Sequence, residues 1–321
     1  MASYQINDRL DLDPAAAARE REALIEGLMS HPASIPPKYF YDPLGCALFG
    51  AICELPEYYL TRTEVSIFAT HRADITAAVG TPGQLIDLGA GDCAKASSWL
   101  SFLKPGRYIA VDIARGAIDK ALAAMQPEFP GIALTGVVTD FARLLDLRDI
   151  LDESPATFFY PGSSIGNFSP VEASAFLRRI HAHCTVAGSG LLIGVDAKKD
   201  RHILEAAYDD AVGVTAAFNR NVLAHVNRLI GSDFQPASFA HRALYDSQAG
   251  RIEMHLEALA DQRVTLAGSL RVYERGERIH TENSYKYDPA EFEDMLRSAG
   301  FAAVRTWQDP ERKFSVFYAA A

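Results

Sequence analysis

The sequence predicts an α/β protein: a mostly parallel sheet that ends in an antiparallel hairpin, with a second, inserted α+β lobe. Three observations carry this. From Gln84 onward, short apolar runs alternate with helix-length amphipathic segments, the pattern of strands covered by helices on both faces. The last two apolar runs are separated only by a turn at Asp309-Pro310, which is too short for anything but antiparallel pairing. Residues from about 198 to 284 interrupt the alternation between its fifth and sixth strands.

The elements follow in order. Ala, Leu and Ile recur at helical spacing over 14–29, with Glu and Arg between them, and predict an amphipathic helix. Pro32, Pro36 and Pro37 break the chain. A second helical stretch runs from Leu44 to Leu55, and a third begins near Thr63-Glu64. Strands are predicted at Leu85–Leu88, Arg107–Ile113, Ile132–Val138, Thr157–Tyr160 and Gly190–Val195, with helices at 93–103, 115–125 and 171–184. The chain closes with a helix over Pro289–Ala299 and strands at Ala302–Trp307 and Phe314–Ala319. This is the Rossmann-like strand pattern of class I methyltransferases. It divides the chain into a sheet domain, 60–197 plus 285–321, and a second lobe, 1–59 plus 198–284.

Composition narrows the function. A formal net charge of −10, with no run of Lys or Arg, argues against nucleic acid or an anionic membrane, because either needs a concentrated basic face. No apolar stretch reaches the length of a membrane span. Met1-Ala2-Ser3-Tyr4-Gln5 has neither the basic nor the apolar region of a secretory signal, so a cytoplasmic protein is expected. Cys46, Cys53, Cys93 and Cys184 stand far apart without zinc-type pairing. They read as reduced thiols, and no metal is expected.

The first strand runs into Asp87-Leu88-Gly89-Ala90-Gly91-Asp92. Glycines there let the backbone turn tightly and approach a ligand beyond the strand ends. The spacing Gly89-x-Gly91-x-x-Ala94 also fits a loose dinucleotide fingerprint, with Asp112 at a suitable distance. Asp92, however, would repel a pyrophosphate at the helix N-terminus. S-adenosyl-L-methionine has no phosphate, and its sulfonium and ammonium suit Asp87. Asp112, ending the second strand, can accept both ribose hydroxyls; read alone, it also fits a solvated strand-end acid. Asp140-Phe141 follows the third strand, where the acid can take the adenine amino group and the ring can stack on the base. Lys95 can pair with the methionine carboxylate, although alone it reads as an exposed helical lysine.

Several stretches resemble the histidine Nα-methyltransferases of ergothioneine biosynthesis and their wider amino-acid methyltransferase family. These are Pro36-Pro37-Lys38-Tyr39-Phe40-Tyr41-Asp42, Leu55-Pro56-Glu57-Tyr58-Tyr59, Thr61-Arg62-Thr63-Glu64, Ser164-Ile165-Gly166-Asn167, Ala207-Tyr208-Asp209-Asp210 on through Asn221, Ile252-Glu253-Met254 and Thr281-Glu282-x-Ser284. The resemblance runs from about residue 14 to the end. It implies a Rossmann-like domain with a second lobe, a small-molecule amino-acid substrate, and a monomer. It also implies conversion of L-histidine to hercynine, its Nα-trimethylated betaine, with S-adenosyl-L-homocysteine as the other product. By matching positions, Tyr41, Gly89, Lys95, Asp112, Asp140 and Phe141 contact the cofactor. Tyr58, Gly162, Asn167 and Tyr208 hold the amino acid's carboxylate and amine. Glu282 and Ser284 hold the imidazole beside Met254, and Asn167 and Tyr41 stand closest to the chemistry. The sequence departs from the family at Pro161 and Ser163 around Gly162, and at Asn283 and Tyr285 around Ser284. Another amino acid or amine as the substrate of the same fold is the alternative.

The chemistry agrees with these residue types. Methyl transfer needs a neutral amine, and acceptors such as the Asn167 amide oxygen can point its lone pair at the methyl group. No strong general base is evident, so proton loss through water or a tyrosine is expected. Tyr41, Tyr58 and Tyr208 can also attract a fixed positive charge through their faces. Glu282 and Ser284 are two apart in a segment with strand character, so they share a face. A carboxylate and a hydroxyl there define a neutral ring with two nitrogens. By spacing alone, the segment reads as a solvated edge.

Overall fold

The computed structural model describes residues 4–10 and 14–321. The expectation drawn from Met1–Gln5 therefore falls largely outside the described residues. The chain divides into two compact units: Met1–Leu12, Arg62–Lys198 and Tyr287–Ala321 form the first, and Asp13–Thr61 with Lys199–Lys286 the second.

In the first unit, the described residues form an eight-stranded sheet in the order Gln5–Asp8, Ala133–Val138, Arg107–Asp112, Gln84–Leu88, Ala156–Tyr160, Gly190–Asp196, Phe314–Ala320, Ala303–Gln308. The first six run parallel; Phe314–Ala320 pairs antiparallel with both of its neighbours. Gln84–Leu88, Ala156–Tyr160 and Gly190–Asp196 are buried at every position, as parallel strands covered on both faces must be. Ser169 and Glu172 form a capping box at the start of the helix Pro170–His183, and Pro170 opens it. This is the class I methyltransferase sheet with its closing hairpin.

Of the differences from the sequence reading, two bear on the boundary between the sheet domain and the second lobe. Gln5–Asp8 adds a parallel strand beside Ala133–Val138, so this stretch belongs to the large sheet and not to the lobe grouped as 1–59. The helix expected near Thr63 spans Tyr59–Thr70.

The strand order reverses at Gln84–Leu88, whose neighbours lead away in opposite directions. Ligands of open α/β sheets bind beyond the carboxyl ends of the strands at such a point. Gly89, Asp112 and Asp140 all lie there, just past or at the ends of Gln84–Leu88, Arg107–Asp112 and Ala133–Val138.

The second unit is built on a four-stranded sheet in the order Ala33–Ser34, Arg278–Tyr285, Arg251–Ala258, Phe239–Asp246. Helices Pro14–Met29, Pro43–Glu54, Arg201–Tyr208 and Val214–Ile230 belong to it, with a hairpin of Gln262–Leu266 and Ser269–Tyr273. Its middle pair carries a register shift between His280 and Glu282. Such a bulge re-aims the side chains that follow it. Thr281, at the shift, is buried, and its Oγ1 donates to Asn219 Oδ1 at 2.8 Å.

Candidate active site

In the first unit, Gly89 and Gly91 have φ of +70° and +53°, a left-handed turn that favours glycine. Asp112 accepts from the Gly91 amide at 2.9 Å through Oδ2 and from the Ala114 amide at 2.8 Å through Oδ1. Its carboxylate is thus anchored by two backbone donors, and each oxygen keeps a second lone pair. Asp92 Oδ1 accepts from Ala94 N at 3.1 Å. A carboxylate already occupies the N-terminal turn of the helix Ala94–Leu103, where a pyrophosphate would have to sit.

Asp87 is buried and accepts from the Tyr108 hydroxyl at 2.7 Å. Burial pushes its carboxyl up to about 7, against the pull of that hydrogen bond. A positively charged ligand near it would draw it back toward ionisation. The Phe141 ring reaches the Gly89 backbone: a Cβ at Gly89 would stand 3.7 Å from Phe141 Cζ. Asp140 begins the turn that contains Phe141, accepting from Arg143 N at 3.3 Å.

Sequence reasoning missed Glu64, although it lies in a stretch quoted for the resemblance. Its side chain is 0% exposed. It accepts from Lys95 Nζ and from the Gly162 amide, each at 2.7 Å. One carboxylate therefore ties the helical lysine to the loop after Ala156–Tyr160. Gly162 has φ +79°, and a Cβ there would meet Lys95 Nζ at 3.0 Å. Asn167 ends the short 3-10 helix Ser164–Asn167 that follows. The departure at Ser163 has a structural use: its hydroxyl accepts from the Asp196 amide at 2.9 Å.

The donor set fits S-adenosyl-L-methionine and not a dinucleotide. Asp87, Asp112 and Asp140 give that end of the sheet three acids, with the Phe141 ring against Gly89 and the Lys95–Glu64 pair beside Gly162.

In the second unit, Asp42 caps the helix Pro43–Glu54 by accepting from Gly45 N at 2.7 Å. Asn221 Nδ2 donates to the same carboxylate at 2.7 Å, and Arg228 pairs with it, fixing the adjacent Tyr41. The Phe49 ring meets Tyr41 at 5.9 Å and Tyr58 at 6.3 Å, and Tyr58 meets Tyr208 at 6.1 Å, all edge to face. The three tyrosines of the sequence reading thus belong to one aromatic cluster, which Phe49 links. Burial raises the Tyr58 hydroxyl well above its ordinary value, and the nearby Tyr208 adds to the effect. Tyr58 stays a neutral phenol at any physiological pH and is no proton acceptor of consequence.

Met254 lies opposite Glu282 in the sheet register and is buried. Glu282 keeps part of its surface accessible, yet the surrounding protein desolvates its carboxyl and pushes it up to about 7, against the charge of Lys286. Ser284 Oγ lies 2.8 Å from the Tyr208 hydroxyl. Lys286, which sequence reasoning also missed, is 1% exposed and donates to both of these hydroxyls. The alternation 282, 284, 286 was its signal. On the departures, Asn283 Oδ1 lies 3.0 Å from His280 Nε2, and the Tyr285 hydroxyl accepts from Arg251.

Burial raises the Cys93 and Cys184 thiols to about 12, so neither supplies a thiolate. Among the described residues, no group of three or more His, Cys, Asp or Glu is arranged to hold a metal.

The family model for histidine-specific, S-adenosylmethionine-dependent methyltransferases matches residues 20–321. The chain belongs to this family. It is an S-adenosyl-L-methionine-dependent methyltransferase that releases S-adenosyl-L-homocysteine. A histidine N-alpha-methyltransferase of Mycolicibacterium smegmatis is 40% identical over 313 residues, covering 96% of each chain. One from Mycobacterium tuberculosis is 36% identical, covering 94% of each. Ergothioneine biosynthesis protein 1 of Schizosaccharomyces pombe is 27% identical over 88% of this chain and 38% of its own length.

Proposed function

We propose that the chain methylates the α-amine of L-histidine three times to give hercynine, as in ergothioneine biosynthesis. The observation that carries this reading is the row of Glu282 and Ser284 beside Met254 and Tyr208. It offers a carboxylate and a hydroxyl to a ring with two nitrogens, beside a buried methionine and a tyrosine ring.

In this reading the first unit binds the cofactor and the second the ring of the amino acid. S-adenosyl-L-methionine supplies an electrophilic methyl group when bound. Asp112, anchored by two amides, accepts the ribose hydroxyls. Asp140 takes the adenine amino group, and Phe141, against Gly89, stacks on the base. Lys95, held by Glu64, faces the methionine carboxylate, and Asp87 supplies the field that favours a cation. Tyr58, Asn167, Gly162 and Tyr208 are assigned the carboxylate and amine of the substrate. Asn167 orients the lone pair, and Tyr41 keeps the role toward the cofactor that the resemblance implies. With Tyr58 locked as a phenol, the amine proton leaves through water. The tyrosine and phenylalanine faces also attract the growing positive charge, each by about 0.5–2 kcal/mol.

We further propose a cytoplasmic monomer. The monomer is what the family resemblance implies, and the cytoplasmic placement is supported by the acidic net charge of −10 and by four free cysteines. Light scattering of the purified chain tests the oligomeric part. Mass spectrometry of products after incubation with S-adenosyl-L-methionine and each amino acid tests the function. Trimethylated histidine is expected; methylation of a different amino acid or amine in its place overturns the assignment.

A further inference from the structure

Lys286 stands one residue past the strand Arg278–Tyr285 and is 1% exposed. Its Nζ donates to Ser284 Oγ at 2.8 Å and to the Tyr208 hydroxyl at 3.0 Å, and lies 4.7 Å from the Tyr208 ring centroid. The two hydroxyl oxygens are 2.8 Å apart. The three polar groups therefore close a triangle inside the second unit.

The triangle has a polarity. An ammonium has N–H donors and no acceptor, and a hydroxyl has one proton and two lone pairs. Both oxygens must accept from Lys286. The bond between the two hydroxyls can run either way; with the Tyr208 phenol as its donor, both lone pairs of Ser284 are taken, one by the ammonium and one by the phenol. What Ser284 has left for a ligand is its own O–H.

We propose that the Tyr208 phenol is the donor of that bond and that Lys286, by occupying the other lone pair of Ser284, is a specificity-determining positioning residue that makes Ser284 a hydrogen-bond donor to the substrate ring. The proposal rests on the reading that Glu282 and Ser284 hold that ring. The row then presents an acceptor at Glu282 and a donor at Ser284. A neutral imidazole matches both, with its N–H on one side and its bare nitrogen on the other. An imidazolium has two N–H groups and meets the serine proton head on. A pyrrole lacks the bare nitrogen, and a benzene ring lacks both groups. Without Lys286, Ser284 can turn either to donate or to accept, so its proton is no longer held toward the ligand and the preference for a bare ring nitrogen over a CH falls. The substrate class so defined is an α-amino acid bearing a neutral azole with one N–H and one acceptor nitrogen.

The test uses the two pyrrolylalanines, each keeping one ring N–H and replacing the other nitrogen by CH. kcat/KM is measured for both and for histidine, with the full chain and S-adenosyl-L-methionine, for wild type, Lys286→Met and Lys286→Arg. Affinity for S-adenosyl-L-homocysteine is measured alongside and reports on folding. Wild type should prefer histidine over the better pyrrolylalanine by about 100-fold or more, because a buried donor is otherwise left unpaired. Lys286→Met should reduce the ratio to below about 10-fold at unchanged affinity for S-adenosyl-L-homocysteine, and Lys286→Arg should restore most of it.

A ratio in Lys286→Met within twofold of wild type overturns the proposal, whatever happens to the rate, because a merely structural lysine would alter turnover and not selectivity. Should Lys286→Met lose S-adenosyl-L-homocysteine binding, Lys286→Gln decides: a fallen ratio supports the proposal and an unchanged one overturns it. If wild type accepts pyrrolylalanines as well as histidine, the imidazole reading itself fails, which is a separate result.

Discussion

Replacing Glu282 by glutamine should make the protein more stable and its histidine binding weaker. The carboxyl titrates at about 7 in the folded chain against an ordinary 4.5, because the protein around it removes water. A folded state that holds its proton more tightly than the unfolded chain loses stability as pH rises between those values. The penalty is absent below pH 4.5, where both states are protonated, and is complete above pH 7. At about 1.4 kcal/mol per unit of pKa, the full penalty is about 3 kcal/mol, and partial accessibility of the side chain lowers it toward 1–2. Glu282→Gln keeps the shape and removes this cost. Urea denaturation should show the variant about 1–3 kcal/mol more stable than wild type at pH 8, and nearly equal to it at pH 4.5. In the opposite direction, a hydrogen bond from the ligand to a charged acceptor is worth about 1.5–3 kcal/mol. Calorimetry with S-adenosyl-L-homocysteine present should therefore find histidine bound about 10- to 150-fold more weakly. A variant no more stable than wild type at pH 8 would mean that Glu282 is solvated. An unaltered histidine affinity would return it to a solvated edge residue.

Three further outcomes are expected. Asp112→Ala removes the acceptor assigned to the ribose and should weaken S-adenosyl-L-homocysteine by at least about 10-fold in calorimetry; unchanged affinity refutes the assignment. Gly194→Ala would put a Cβ 2.0 Å from Glu64 Oε1, so the carboxylate must leave Lys95 and the Gly162 amide. Thermal and urea unfolding should then show a loss of about 3 kcal/mol or more, together with weaker cofactor binding, whereas wild-type values would mean that Glu64 has room to move. The rate at limiting histidine should climb from pH 7 toward 9 as the substrate amine loses its proton, since Tyr58 is held far above its ordinary titration range; a flat profile points to a buried base or to a different slow step.

The parallel strands were legible because their apolar runs are bounded by glycine and charge, and Asp87, Asp112 and Asp140 fall at their ends. Gln5–Asp8 was not, because four mostly polar residues take strand form only through a partner, Ala133–Val138, that lies far along the chain. Within the site, acids after strands and a ring after an acid carry meaning from position alone. Lys286 carries less: the alternation 282, 284, 286 puts it on the face of Glu282, but a lysine among tyrosines reads as surface, and its burial depends on Tyr208, 78 residues away. Glu64 is similar, its role residing in Gly162, which it meets across 98 residues. The bulge between His280 and Glu282 likewise has no signature in His280-Thr281-Glu282-Asn283, which looks like an exposed polar stretch.

The central claim is that the ring site is built for a polar azole rather than for any side chain that fits. The most direct measurement is kcat/KM for methyl transfer to histidine, phenylalanine and leucine by the unmodified chain. A site whose buried polar groups are left unpaired rejects such analogues by up to about 10⁴-fold, whereas an apolar pocket separates them by only about 10- to 200-fold per methylene. Histidine should therefore exceed both by about 10³-fold or more. Phenylalanine reacting as well as histidine would contradict the account and move the chain to a different amino-acid substrate of the same fold.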